Sequence, residues 1–354
     1  MEKVRVGLVG CGNIGRVHLN AYKNAKNIEV VALCDIDPAN LKKTSEMYGI
    51  DKVYSSEEEM LKNEQLDAID VCVWNCNHAK CTIDALNAGL HVLCEKPMAT
   101  NAKEAQEMAD AAKKNNKLLM IAFVMRFMDE GRIAKDFIDN GYIGDIYYSK
   151  ATYLRRHGAP GGWFNNKKMS AGGPVIDLGV HVIDFTRYLM GRPQVKSVFA
   201  SVEDKLGNRA HLKTDVGWKP DNASDKDVYN VEDFGIAMIK YENGQTTLLE
   251  TSYSLNGEDV ISKEIYGTKG GMNINGTDLK LYTEINGFLA DVSPKLDNYK
   301  QSCEHFQAEI EHFADCILTG CECIAPAEDG IEIMKILDAI YESGRTGHEV
   351  IIND

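Results

Sequence analysis

Asp177 and His181 stand four residues apart in the apolar stretch GGPVIDLGVHVIDF, residues 172–185. Burying either side chain is costly without a partner. The local pattern admits two readings: a pair that handles protons, or a core histidine satisfied by a nearby carboxylate. Imidazole titrates near neutral pH and can accept a hydroxyl proton. On a helix, the i,i+4 spacing puts both groups on one face, within reach of one substrate. Asp184, three residues after His181, could orient the ring or simply continue the helix. Upstream, HVLCEKPMAT places Glu95, Lys96 and Pro97 at the end of an apolar run. A cation there could stabilise developing negative charge, although a strand-end lysine is commonly just a solvated charge.

VGLVGCGNIGRVHL carries Gly10-x-Gly12-x-x-Gly15 directly after a strand-like run and at the start of a helical one, the context a dinucleotide fingerprint requires. Gly10 permits the tight turn, Gly12 the approach of a pyrophosphate, and Gly15 close helix–strand packing. Asn13 and Ile14 open the helix, whose N-terminal N–H groups face the phosphates. The next apolar run, IEVVALCD, ends at Asp35, 20 residues past Gly15. A carboxylate there accepts ribose hydroxyls and repels a 2′-phosphate, and Ile36 and Asp37 provide no arginine to attract one. The expected cofactor is therefore NAD.

These residues need a scaffold, and the first 125 residues provide its pattern. VRVGLVG, IEVVALCD, AIDVCVW, HVLCEKP and KLLMIAFVM read as buried parallel strands. Amphipathic segments separate them, with Ile14, Val17, Ala21 and Tyr22 assigned to one helical face. This alternation predicts a doubly wound α/β domain over 1–125. From 126 to 354 the texture changes. IYYSKATYLRR, QVKSVFASVE and two runs joined by Asn243-Gly244 predict a mostly antiparallel open sheet in an α+β domain. The polar stretch Lys205–Tyr229 reads as a long loop of the kind that serves as a lid. Phe306, Ile310, Phe313 and Ile317 follow helical spacing, as do Ile333, Ile336, Leu337 and Ile340 before Gly344 as C-cap, and these helices are expected to pack back on the first domain.

Composition narrows the partners. The 354 residues carry 39 basic and 53 acidic side chains, a net charge of −14. Without a basic block the chain is a poor match for nucleic acid or an anionic membrane, which leaves a small molecule. No apolar run approaches the roughly 18 residues of a membrane span. The strand-like run begins almost at the N-terminus, so a cytoplasmic location is expected. Of ten cysteines, Cys11, Cys34, Cys72 and Cys94 lie in or beside apolar runs, as buried thiols do. Cys321-Glu-Cys323 is tight for a zinc knuckle, and no metal is expected.

The glycine loop with Asp35, Glu95-Lys96-Pro97 and Asp177-x-x-x-His181 together resemble the glucose–fructose oxidoreductase/inositol dehydrogenase family, also called Gfo/Idh/MocA. NGYIGDI at 140–146, AGGPVIDLGVH at 171–181 and AEDGIEIMKILDAIYES at 327–343 extend the resemblance along essentially the whole chain. It implies a Rossmann domain followed by a substrate-binding domain whose open sheet commonly forms the interface of a homo-oligomer, a dimer or tetramer. It implies that Lys96, Asp177 and His181 form the catalytic group. His181 would be the general base, Lys96 would hold the developing alkoxide, and Asp177 would bind a hydroxyl pair or orient His181. Glu95, Asn75 and His78 would lie at the cofactor. Two departures stand out: the family's Thr-Pro-Asn-x-x-His is here Val73-Trp74-Asn75-Cys76-Asn77-His78, and its Asn-x-Arg is Val124-Met125-Arg126.

Arg126, Arg155, Arg156, His157 and Trp163 are candidate substrate contacts, since an aromatic face with flexible donors suits a sugar ring. The resemblance favours a polyhydroxylated ring, with oxidation at a glucoside C3 preferred over free inositol. A redox-neutral NAD-using glycosidase of the same fold and a non-catalytic sensor are the competing classes. Retention of Lys96, Asp177 and His181 together argues against the sensor.

Overall fold

A computed structural model describes residues 3–209, 211–213, 219–220, 223–224, 227–276, 278–295 and 304–352. The chain forms two compact units, 1–127 with 302–331 and 128–301 with 332–354.

The first unit holds a parallel sheet of β1 (Val4–Val9), β2 (Ile28–Cys34), β3 (Val53–Tyr54), β4 (Ala68–Val71), β5 (His91–Glu95) and β6 (Leu119–Ala122), in the order β3-β2-β1-β4-β5-β6. Helices α1 (Asn13–Tyr22), α2 (Pro38–Tyr48), α3 (Glu57–Asn63), α4 (Asn75–Asn87) and α5 (Ala102–Asn115) make the crossovers. The strands are covered on both faces, so Val6, Leu8, Ile69, Val71, Leu93 and Ile121 are all buried. The strand order reverses between β1 and β4, which opens a crevice at their carboxyl ends.

Two assignments differ from the sequence pattern. On α1, Val17 is 37 % exposed whereas His18 is fully buried beside Leu19 and Tyr22. The core face is thus rotated by one residue, because carboxylates inside the sheet give a histidine partners that a valine could not use. Arg126, a candidate substrate contact, is 2 % exposed in a short 3₁₀ turn after β6. Its Nη1 donates to Asp329 Oδ2 at 2.7 Å and to the Ile324 carbonyl, and its guanidinium lies 5.0 Å from the Phe123 ring. Arg126 is a tie between β6 and the chain entering the last helix.

The second unit contains α6 (Asp129–Asp139), the short α7 (Lys167–Ser170) and α8 (Val180–Leu189), together with nine strands. These are β7 (Ile146–Leu154), β8 (Val195–Glu203), β9 (Phe234–Tyr241), β10 (Thr246–Ser252), β11 (Val260–Gly267), β12 (Gly270–Asn275), β13 (Asp278–Ile285), β14 (Phe288–Val292) and β15 (Val350–Ile351). Their order is β14-β13-β12-β11-β7-β10-β9-β8-β15, antiparallel throughout except for β7 beside β10. Asn243-Gly244 makes the β9–β10 turn, with Gly244 at φ +88°. One sheet face is buried through Ala151, Val198, Ile239, Leu249 and Ile265. On the other, Phe199, Met238 and Tyr282 are 50 %, 42 % and 41 % exposed.

Two helices complete the chain, α9 (His305–Thr319) and α10 (Ala327–Thr346). α9 belongs to the first unit. Gly344 does not cap α10. A Cβ there would lie 2.7 Å from Val202 Cγ2, so this glycine lets the helix approach β8 closely. Gly347, at φ +73°, ends the helix and donates to the Ser343 carbonyl. Among the described residues no helix is long and apolar enough to cross a membrane.

Breaking one side of a buried ion pair leaves an uncompensated charge. Asp329→Asn is therefore expected to lower the unfolding free energy by about 3–5 kcal/mol. Urea denaturation checks this, and a loss below about 1 kcal/mol, the level of an exposed pair, would contradict the structural role of Arg126.

Candidate active site

The nucleotide loop is shaped by close approach. Gly10 has φ +101°, and a Cβ on it would lie 2.3 Å from the Cys72 carbonyl oxygen. A Cβ on Gly15 would lie 2.0 Å from the Gly10 oxygen. At Gly12, by contrast, an added Cβ meets nothing within 4 Å. Gly12 is the N-cap of α1, with no side-chain cap bond and no acid in the first turn. Its open approach at a helix N-terminus fits a pyrophosphate. Asn13 and Ile14 begin the helix, and the Arg16 guanidinium holds Asn13 Oδ1 and the Cys11 carbonyl. Asp35 follows β2, its Oδ2 accepting from Cys11 N at 2.6 Å and its Oδ1 from Asp37 N at 2.7 Å. The carboxylate is thereby oriented beside the loop.

Lys96 emerges half-buried from the end of β5, and its peptide bond to Pro97 is cis. Glu95 and His78, the expected cofactor contacts, support this turn. Glu95 is 6 % exposed; its Oε2 accepts from Lys96 N at 2.9 Å and its Oε1 lies 3.0 Å from His18 Nε2. His78 is 1 % exposed, with ring nitrogens 2.7 Å from the Pro97 carbonyl and 3.1 Å from that of Val73. Burial lowers its pKa, which favours a neutral ring. Asn75, also buried, is the first residue of α4.

His18 completes this support. Its Nδ1 lies 2.8 Å from Asp70 Oδ2 on β4, so one ring bridges two strand-end carboxylates. Burial opposes its charge, yet Asp70 and Cys72 together raise it well above the ordinary histidine range. The nearby Glu309, on α9, is pushed far up by burial, with both oxygens unpartnered.

In the second unit, Asp177 and His181 do not share a regular α-helix. Val175–Gly179 forms a π-helical turn, and α8 starts at Val180. Such wide turns recur at functional sites. Asp177 is 9 % exposed and its Oδ2 accepts from the Tyr253 hydroxyl at 2.8 Å, whereas His181 is half-buried. Asp184 is buried. The turn is held from below by Glu232, whose Oε1 accepts from Gly173 N, Val175 N and the Tyr341 hydroxyl at 2.9, 3.2 and 2.8 Å. Gly172 and Gly173 are needed here: added Cβ atoms would lie 1.9 Å from Tyr341 Oη and 2.2 Å from the Glu232 carbonyl oxygen.

Arg155 follows β7. Its Nη2 donates to Tyr153 Oη at 2.8 Å, and Asp177 and Tyr253 are among its electrostatic neighbours. His157 lies 3.8 Å from Asp259, Arg156 is exposed, and the Trp163 and Phe164 rings pack in a tilted pair with centroids 3.9 Å apart. The expected lid begins where Asp233 Oδ2 accepts from Lys205, Leu206 and Gly207 N. Asp227 Oδ2 then accepts from Gly162 N at 2.6 Å, which ties Asp227 to the segment bearing Trp163. Residues 210, 214–218, 221–222 and 225–226 of the loop lie outside the described residues.

His18, Glu232 and Tyr253 escaped the sequence reading. For His18 the signal was its spacing from Gly15 and Tyr22 on the packed face of α1. Glu232 and Tyr253 carry no comparable pattern. Because the folded pKa of His18 is raised, its stabilising charge is fully present below about 6.5 and is lost as pH rises through the folded value. The unfolding free-energy difference between wild type and His18→Gln should therefore shrink as pH climbs into the alkaline range. A difference independent of pH would exclude a charged His18.

Known proteins place these features in one family. Residues 4–123 match the oxidoreductase family's NAD-binding Rossmann fold, and residues 135–352 match its C-terminal alpha/beta domain. The chain is 34 % identical over 351 residues to the D-glucoside 3-dehydrogenase of Escherichia coli K12, covering 98 % of this chain and 97 % of that protein. It is 28 % identical to the myo-inositol 2-dehydrogenase of Thermotoga maritima, covering 92 % of each. A solved levoglucosan dehydrogenase, complexed with NADH and levoglucosan, superposes with a TM-score of 0.85 at 25 % identity over the full length of both chains. With a Rossmann loop shaped for NAD and both domains matched, the chain belongs to the Gfo/Idh/MocA family of oxidoreductases.

Proposed function

We propose that this enzyme oxidises a secondary ring hydroxyl of a glycoside, at C3 of a glucoside, with NAD as acceptor. The reading rests chiefly on the likeness, along nearly the whole chain, to a D-glucoside 3-dehydrogenase. Bound at Gly10, Gly12, Gly15 and Asp35, NAD supplies the acceptor for the hydride that leaves the carbinol carbon. His181 takes the hydroxyl proton as general base. Lys96 offers its ammonium to the oxygen as negative charge develops. Asp177, steadied by the Tyr253 hydroxyl, accepts hydrogen bonds from substrate hydroxyls. Arg155, His157 and Trp163 supply the donors and aromatic surface that bind the ring.

A reducing cytoplasm suits the thiols, since nine cysteines among the described residues are free. A homo-oligomer formed through the outer sheet face would cover Phe199, Met238 and Tyr282.

A panel of glucosides and free inositols, followed by NADH formation and sugar release, tests the reaction. NADH formation with a 3-keto glycoside as product is expected; sugar release without NADH would replace this reading by the redox-neutral glycosidase. Lys96→Ala and His181→Ala should each lower kcat by about 10²–10⁴-fold while NADH binding persists, and full activity in either would remove that residue from catalysis. Replacing Asp35 by Ser together with Ile36→Arg should weaken NAD binding by about 10–100-fold, the worth of a charge-assisted hydrogen bond, and improve NADP binding. Unchanged cofactor affinities would remove Asp35 from the ribose site.

A further inference from the structure

A second cluster of chemically active side chains lies where α9 ends. His312 and Cys316 share one face of α9 by their i,i+4 spacing. Gly320, at φ +71°, then reverses the chain and brings Cys321 back toward them. Cys316 Sγ lies 3.4 Å from His312 Nε2 and 3.6 Å from Cys321 Sγ, and all three ligand atoms fall within 4.8 Å of one another. Cys323, two residues on, is an electrostatic neighbour of both Cys316 and His312, although its sulfur is outside the group of three. Cys321-Glu-Cys323, too tight for a zinc knuckle by itself, is thus half of a His-x₃-Cys-x₄-Cys-x-Cys set whose other half comes from a helix.

From these positions we propose that His312, Cys316, Cys321 and Cys323 form a four-coordinate binding site for zinc or a similar thiophilic divalent cation. In a tetrahedron with Zn–S of about 2.3 Å and Zn–N of about 2.0–2.1 Å, the S–S and N–S edges are about 3.8 and 3.5 Å. The two observed edges are within about 0.2 Å of these values, and Cys323, outside the group of three, would turn its thiol inward to complete the set. His312 Nε2 accepts from Ile324 N at 3.0 Å, so the nitrogen carries its lone pair, and a metal would displace this N–H to take it. On binding, that N–H becomes available to a thiolate sulfur. Coordination replaces three S–H bonds by S–metal bonds and releases three protons to solvent. Cys321 is exposed, giving the ion an entry path.

The placement indicates what the ion would do. The loop it would close is the one that extends the Rossmann sheet: Ala325 accepts from Ile121 N on β6, and Ile324 accepts from Arg126. The Phe127 ring lies 5.6 Å from that of His312. A four-ligand site leaves no open position for substrate, so the role is structural, fastening α9 to the sheet edge.

The test uses the whole protein purified under reducing conditions. One equivalent of zinc per chain by elemental analysis is expected, and cobalt(II) substitution should give the visible bands of tetrahedral thiolate coordination. Cys321→Ser and Cys323→Ser should each lose the metal. The proposal fails if reduced wild type takes up neither ion when offered one equivalent, or if both variants keep it. A Cys316–Cys321 disulfide in the reduced preparation would equally overturn it. Since the wild-type measurement stands alone, a variant that misfolds does not rescue the idea.

Discussion

Glu95 is held from two sides, by His18 Nε2 at 3.0 Å and by the Lys96 backbone N–H at 2.9 Å, and much of the first unit follows from that arrangement. A parallel sheet presents its chemistry at the carboxyl ends of its strands, where backbone pairing stops and side chains must take over. Asp70 and Glu95 occupy those ends on neighbouring strands, and both are buried. Two adjacent buried carboxyl groups are costly without a hydrogen-bonding partner between them. His18, sent inward from α1, supplies one. The same helix opens on the glycine loop, so one element joins the nucleotide site to the lysine turn.

The second unit solves a similar problem with a different device. A π-helical turn is less favourable than an α turn, and here it is retained by groups that fit only this backbone. Glu232 takes the N–H groups of Gly173 and Val175, and Tyr341 closes over Gly172. Thr251 Oγ1 donates to the Pro174 carbonyl at 2.9 Å. The outcome is a carboxylate, Asp177, set in a dry wall with one oxygen fixed by Tyr253 and an arginine nearby. Pre-set polar groups of this kind lose little freedom when a substrate binds.

Arg126 shows how a motif can be legible while its partners are not. The residue sits where the family pattern places an arginine, at the end of β6, yet its charge is neutralised within the protein by Asp329, 203 residues away. A guanidinium with fixed fork geometry suits such a buried pair. No local signal separates that use from ligand binding, because the deciding partner is remote in sequence.

The amino-acid order by itself determined the elements whose causes are local. Apolar runs specify buried strands, glycine spacing specifies the tight turn before the first helix, Asn243-Gly244 specifies a hairpin, and Asp35 after β2 carries the expectation of NAD. Each depends on conformational freedom or periodicity within a few residues. What tertiary structure alone decided were the identities that depend on a distant partner: His18 rather than Val17 on the core face, Glu95 and His78 as supports of the Lys96 turn, Glu232 beneath the π turn, and the helix half of the cysteine cluster. Burial makes a polar side chain depend on whatever lies opposite, and only the folded chain determines what that is.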